Sequence, residues 1–101
     1  MRACLPSLVS DAPRASGIYR FYHDQEIIYI GTSRDLHRRI VEHIERSDNE
    51  LLLEFIESGN AQVDWYSCPY HGWMERYELV EFIALTGQLP LCNRIAGGLP
   101  Y

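Results

Sequence analysis

Residues 1–16 hold no hydrophobic period, and Pro6, Ser7, Ser10, Asp11, Pro13 and Ser16 punctuate them, so a leader is expected over 1–15. Strand-type sequence follows. Gly17-Ile18-Tyr19-Arg20-Phe21-Tyr22 and Glu26-Ile27-Ile28-Tyr29-Ile30-Gly31 are rich in β-branched and aromatic residues and are separated by the polar His23-Asp24-Gln25, which is a hairpin pattern. A three-residue loop there sets Tyr22 against Glu26 and places Tyr19 directly opposite Tyr29, with both side chains on one face. Thr32, with Asp35 three residues on, reads as the cap of a helix running to about Arg46. At 100° per residue Leu36, Ile40 and Ile44 form its apolar stripe, and Arg39, His43 and Arg46 line one border of that stripe. Ser47-Asp48-Asn49-Glu50 has the form of a capping box, and a short helix over Leu51 to Ser58 is stopped by Gly59. Gln62-Val63-Asp64-Trp65-Tyr66 alternates as a third strand, Pro69 to Gly72 turns, and Trp73 to Thr86 forms the last helix, ended by Gly87. The order ββααβα predicts one α+β domain, a small and mainly antiparallel sheet covered by helices.

Composition narrows the picture. At 101 residues, 47% hydrophobic and 23% charged, the chain is one globular domain with none of the marks of disorder or low complexity. Its apolar runs are too short to span a membrane, and no secretory h-region precedes Asp11. All nine basic residues are arginine, and the net charge is −5. Residues 1–46 carry seven arginines against six acids, whereas residues 47–101 carry two against eight. That balance argues against a general nucleic-acid coat but leaves a local cluster at Arg34, Arg38, Arg39 and Arg46. Arginine suits forked contact with phosphate, although exposed charge on a helix ordinarily serves solubility. The odd cysteine count (Cys4, Cys68, Cys92) is that of reduced thiols, which points to the cytoplasm. Cys68-Pro69-Tyr70-His71 has the spacing of half a zinc site, and its second half is missing.

Glu81 stands out on the last helix, with Tyr77, Glu78, Ala84 and Leu85 one turn away and Met74 two turns back. A carboxylate among apolar side chains is costly if it stays charged and unpartnered, so Glu81 wants a metal, an arginine or a proton. The plainer reading has it reach water at the end of the stripe.

Gly17-Ile18-Tyr19, followed ten residues later by Tyr29-Ile30-Gly31, resembles the signature of the GIY-YIG nuclease superfamily. Thr32-Ser33-Arg34-Asp35-Leu36, then Arg39 and His43, then a late helix with Glu81, then Asn93, extend the likeness from about Ser16 to Asn93. The resemblance implies a sheet of three antiparallel strands flanked by three helices, a domain over 16–95, and a tail over 96–101. It implies a divalent-metal-dependent endonuclease hydrolysing DNA phosphodiester bonds in a repair, recombination, restriction or mobile-element setting. By the same resemblance Tyr19 activates the attacking water, Tyr29 orients water or phosphate, and Arg39 contacts the scissile phosphate. His43 fills a His or Tyr position, Glu81 binds Mg²⁺ or Mn²⁺, and Asn93 supports the site beside Arg34, Arg38 and Arg46 as substrate contacts.

The chemistry is coherent, because phosphodiester cleavage needs an in-line nucleophile and neutralisation of charge on the phosphate oxygens. A phenol of pKa about 10 works as a base at neutral pH only where positive charge lowers that value. Each residue also has a plainer role: packing for Tyr19 and Tyr29, a solvated ion pair for Arg39, a polar lid for His43, a turn for Asn93. Thr32 stands where relatives often carry lysine, and the acidic second half predicts weak, salt-sensitive DNA affinity. A non-catalytic adaptor, binding a protein partner, a second copy or branched DNA, is the alternative, with Trp65, Tyr66, Tyr70 and Trp73 as its contact patch.

Overall fold

The computed structural model describes residues 3–4 and 11–94, with side chains from residue 11 onward. Most of the leader and the whole tail at 96–101 lie outside the described residues. The described elements are β1 (Ala3–Cys4), β2 (Gly17–His23), β3 (Glu26–Ser33), α1 (Leu36–Arg46), α2 (Glu50–Glu57), β4 (Ala61–Ser67), α3 (His71–Thr86) and a closing 3-10 turn (Leu91–Asn93). The three expected strands stand side by side, all antiparallel, in the order β4-β2-β3. The leader adds what no period announced: Ala3 and Cys4 pair with Val63 and Gln62 and extend the sheet beyond β4.

The hairpin register differs from expectation. Its turn has two residues, Asp24 and Gln25, both with positive φ (51° and 70°), a mirror-type turn whose twist suits the strands. A bulge between Phe21 and Tyr22 then takes up one extra residue. Tyr19 therefore faces Gly31, and Phe21 faces Tyr29. The two changes together slide the pairing by two residues, which preserves parity, so Tyr19 and Tyr29 still share a face as diagonal neighbours with ring centroids 6.0 Å apart.

This register explains both motif glycines. A Cβ on Gly31 would sit 2.4 Å from Cζ of Tyr19, because the Tyr19 ring lies across it. A Cβ on Gly17 would sit 2.1 Å from the Tyr66 carbonyl oxygen of β4.

The helix caps also fall elsewhere than expected. Asp35, not Thr32, caps α1 by accepting from the Arg38 N–H, since Thr32 is still strand and bonds the Gly17 carbonyl. Asn49, not Ser47, caps α2, and the Ser47 hydroxyl is engaged by His43 and by the Asn49 N–H. The core lies between the sheet and α1/α2, where Tyr19, Phe21, Leu36, Ile40, Leu52 and Val63 are all fully or nearly fully buried. Each such aliphatic or Phe side chain contributes about 1.5–3 kcal/mol. The opposite face, bearing Arg20 and Tyr66, is covered by α3, none of whose residues is buried.

Gly31→Ala is expected to lower stability by about 1–3 kcal/mol by forcing the Tyr19 ring aside. Gly72→Ala, in the first turn of α3 with open space around it, is expected to be neutral or stabilising by up to about 1 kcal/mol. Urea unfolding midpoints of the two variants against wild type check both signs.

Candidate active site

Tyr19 is the centre of a buried polar cluster. Its exposure is 1%, and its hydroxyl lies 2.9 Å from Nε2 of His43, which is fully buried on α1. On its other side, His43 Nδ1 lies 2.7 Å from Ser47 Oγ. Burial, aided by the nearby Arg39 charge, pulls the His43 imidazole down to about 4, so the ring is neutral at neutral pH. The Arg39 charge lies close enough to act on the Tyr19 phenol. The two contacts hold the His43 ring between Tyr19 and Ser47, and Ser47 Oγ also accepts from the Asn49 N–H. The expected polar lid is thus a hydrogen-bonded hinge between β2 and α1.

Tyr29 lies on the more open side. Its ring packs 5.5 Å from that of His43 while remaining half-buried. Burial raises both phenols above the ordinary range, and Tyr19 well above it, because desolvation outweighs the Arg39 charge. At 1% exposure, with its hydroxyl 2.9 Å from Nε2 of His43, Tyr19 is shielded from bulk water. Tyr29 is the tyrosine that faces the opening, and among the influences on it Arg39 and Tyr19 both favour its anion.

Of the arginines expected to converge, only Arg39 does so. It reaches Tyr19 and Tyr29 while sharing its other side with Glu42 at 3.3 Å and Asp48 at 3.7 Å. Arg38 is exposed and paired with Glu42 at 2.9 Å, and Arg34 and Arg46 are exposed around α1. Asn93 is buried, its Oδ1 accepts from the Ile30 N–H at 2.9 Å, and its Nδ2 donates to the Ile30 carbonyl at 3.0 Å. It continues the ladder beyond edge strand β3 like a one-residue strand and stiffens the chain between Tyr29 and Gly31.

Glu81 lies apart from this cluster. It is exposed, interacts with Tyr77, and lines an open groove of about 360 Å³ with Arg20, Ile27, Ile30 and Leu85. A carboxylate whose charge, like that of Asp48, is felt at Tyr29 is Glu75, which the sequence reading did not single out. Glu75 is half-buried and has its carboxyl pushed upward by desolvation. No hydrogen bond reaches it among the described residues. A desolvated carboxylate without a hydrogen-bond donor is a fitting ligand for a hard divalent cation. The expected adaptor patch divides in the same way: Trp73 and Tyr70 are exposed, whereas Trp65 packs on the core and Tyr66 bonds Glu78.

No family model matches the chain. It is 29% identical over 59 residues to the UvrABC system protein C of Aquifex aeolicus, a stretch that is 58% of this chain and 10% of that protein. Its fold is similar to the GIY-YIG N-terminal endonuclease domain of UvrC from Thermotoga maritima, a point mutant solved with its catalytic divalent cation. The TM-score is 0.60 at 16% identity, over 87% of this chain and 97% of that one. The two tripeptides lie on neighbouring strands, Tyr19, Tyr29 and Arg39 are gathered in one place, and the fold is that of the GIY-YIG domain. The chain spans about a tenth of the length of the UvrC protein that it matches.

His43 ties stability to pH. The unfolded imidazole titrates near 6.5 and the folded one at about 4, so the unfolded chain holds the extra proton between those values. The contribution is whole above about pH 6.5 and drains as pH falls toward 4, to a total of about 3 kcal/mol. Urea unfolding across that window should show the slope, and His43→Gln should flatten it.

Proposed function

We propose that the chain is a divalent-metal-dependent endonuclease acting on DNA phosphodiesters. The observation that carries this reading is the gathering of Tyr19, Tyr29, Arg39 and His43, from β2, β3 and α1, in one place, with the charge of Glu75 on α3 felt at Tyr29. Glu75 would hold the ion, with Mg²⁺ or Mn²⁺ matching a single carboxylate and a remaining shell of water. When bound, such an ion neutralises charge on the phosphate oxygens and lowers the pKa of water. Arg39 forks onto the phosphate, exchanging its weak pairs with Glu42 and Asp48 for a charge-assisted contact. Tyr29 faces the substrate and orients the water or accepts its proton. Tyr19 and His43 hold Tyr29 and Arg39 in register from behind. The excess of acids past residue 46 makes the affinity for DNA weak and strongly salt-dependent.

The adaptor reading has one observation in its favour, the apolar row that α3 exposes, with Trp73 67%, Val80 61% and Leu85 84% accessible. Catalysis and a partner-binding helix are compatible on one chain.

Mn²⁺-supported nicking of supercoiled DNA separates the readings. Glu75→Gln and Arg39→Ala should each lower the rate by about 10²–10³-fold, the usual loss for a charge-stabilising group. Glu81→Gln should remain within about twofold of wild type, as expected for an exposed side chain away from the chemistry. Equal nicking by Glu75→Gln and wild type would mark the activity as a contaminant's.

A further inference from the structure

α3 is sixteen residues long, yet it buries none of them, and its N-cap Tyr70 makes no side-chain capping bond. The half-buried Met74, Leu79 and Phe82 only partly fix the rotation of this helix about its own axis. Polar ties do so at two points. At its first residue, Nδ1 of His71 meets the Thr32 hydroxyl at 2.6 Å, and that hydroxyl also bonds the Gly17 carbonyl at 3.1 Å. Two turns on, Glu78 accepts a short hydrogen bond from the Tyr66 hydroxyl and lies 3.7 Å from Nη1 of Arg20. Arg20 is itself fixed. It donates twice to Asp64, at 2.9 and 3.2 Å, and lies over the Tyr66 ring at 5.7 Å, while the Tyr22 hydroxyl donates to the same carboxylate at 2.9 Å. The Asp64 and Glu78 side chains are only 13% and 16% exposed, so these contacts are shielded from water.

Residues 71, 75 and 78 follow one another at i, i+4 and i+7 and so share a face of the helix. Glu75 sits between the two ties. We propose that Glu78, gripped by Tyr66 and Arg20, is a positioning residue that fixes the rotation of α3 and with it the direction of Glu75. Its bearing on the bound ion rests on the reading of Glu75 given above. A carboxylate that holds a cation alone depends on its direction more than a member of a crowded ligand set does. The ties to a rigid sheet supply that direction where the helix's own packing only partly does.

Two variants test this, Tyr66→Phe, which removes only the hydroxyl, and Glu78→Gln, which keeps the shape and removes the charge. Residual dipolar couplings of the α3 amides in the metal-free protein report whether the helix still fits the alignment of the sheet. Free-Mn²⁺ spin resonance reports the affinity of the site. The expected result is that wild-type couplings fit one rigid body, that those of both variants depart from it, and that Mn²⁺ affinity falls at least about tenfold, as losing a ligand's supporting partner typically does. A merely structural role would lower the urea midpoint and leave the couplings and Mn²⁺ affinity of the folded protein unchanged, which overturns the proposal. So does unchanged Mn²⁺ affinity in both variants alongside its loss in Glu75→Gln. Equal Mn²⁺ binding by wild type and Glu75→Gln defeats the assignment of Glu75 instead, and the couplings then decide the anchoring alone.

Discussion

The hydrogen bond between the Tyr19 hydroxyl and His43 Nε2 is the point on which the sheet, the first helix and the candidate site all bear. It closes the polar end of a ring that is otherwise surrounded by hydrocarbon, and it does so with a neutral partner, because burial keeps His43 unprotonated. A phenol buried without an acceptor would cost about 1–3 kcal/mol, and a charged imidazole there would cost more. Gly31 leaves room for this ring, and the Ser47 hydroxyl at the end of α1 holds the far side of the imidazole. One bond thus joins the GIY tripeptide, the YIG tripeptide and the α1–α2 junction.

How far each feature could be read from sequence depended on whether its neighbours were local. The strand and helix order was legible because apolar periodicity and turn residues act over a few positions, and Leu36 and Ile40 are buried as their spacing requires. Arg39 and His43 were legible because they border that stripe. The hairpin register was not, since a bulge and two positive-φ residues without glycine leave little trace in the chain. The caps went to Asp35 and Asn49 because strand β3 runs on through Thr32, and because Ser47 is claimed by His43 from four residues back. Asn93 reads as a turn residue until the edge of β3 is seen to lack a neighbouring strand.

Glu81 and Glu75 show the limit most clearly. Phasing a helix from its apolar residues assumes that those residues face inward. On α3 only some do, for Met74, Leu79 and Phe82 are half-buried while Tyr77, Val80 and Leu85 are among the most exposed large side chains described. A carboxylate beside them looks buried on a helical wheel and meets water in the fold. Glu75, flanked by Met74 and Arg76, looks like an ordinary surface acid, yet its charge is felt at Tyr29. The inward face of α3 is specified by polar partners on other strands, and those partners are invisible until the strands are paired.

This division of labour bears on how an acidic chain can approach a polyanion at all. Residues 47–101 carry six more acids than bases, but the structure withdraws several of those charges from the open surface. Asp64 and Glu78 are shielded and engaged with Arg20, Tyr22 and Tyr66, so much of the negative charge beneath α3 is neutralised locally. What remains at the opening is the Arg39 guanidinium, one unpartnered carboxylate at Glu75, and Asp48 at the rim. A phosphate brought there meets the guanidinium directly, and it meets the carboxylate without repulsion only when a cation lies between them. On the proposed reading the ion would supply more than reactivity: it would mask the Glu75 charge while Arg39 answers Asp48, and binding and chemistry would depend on the same carboxylate.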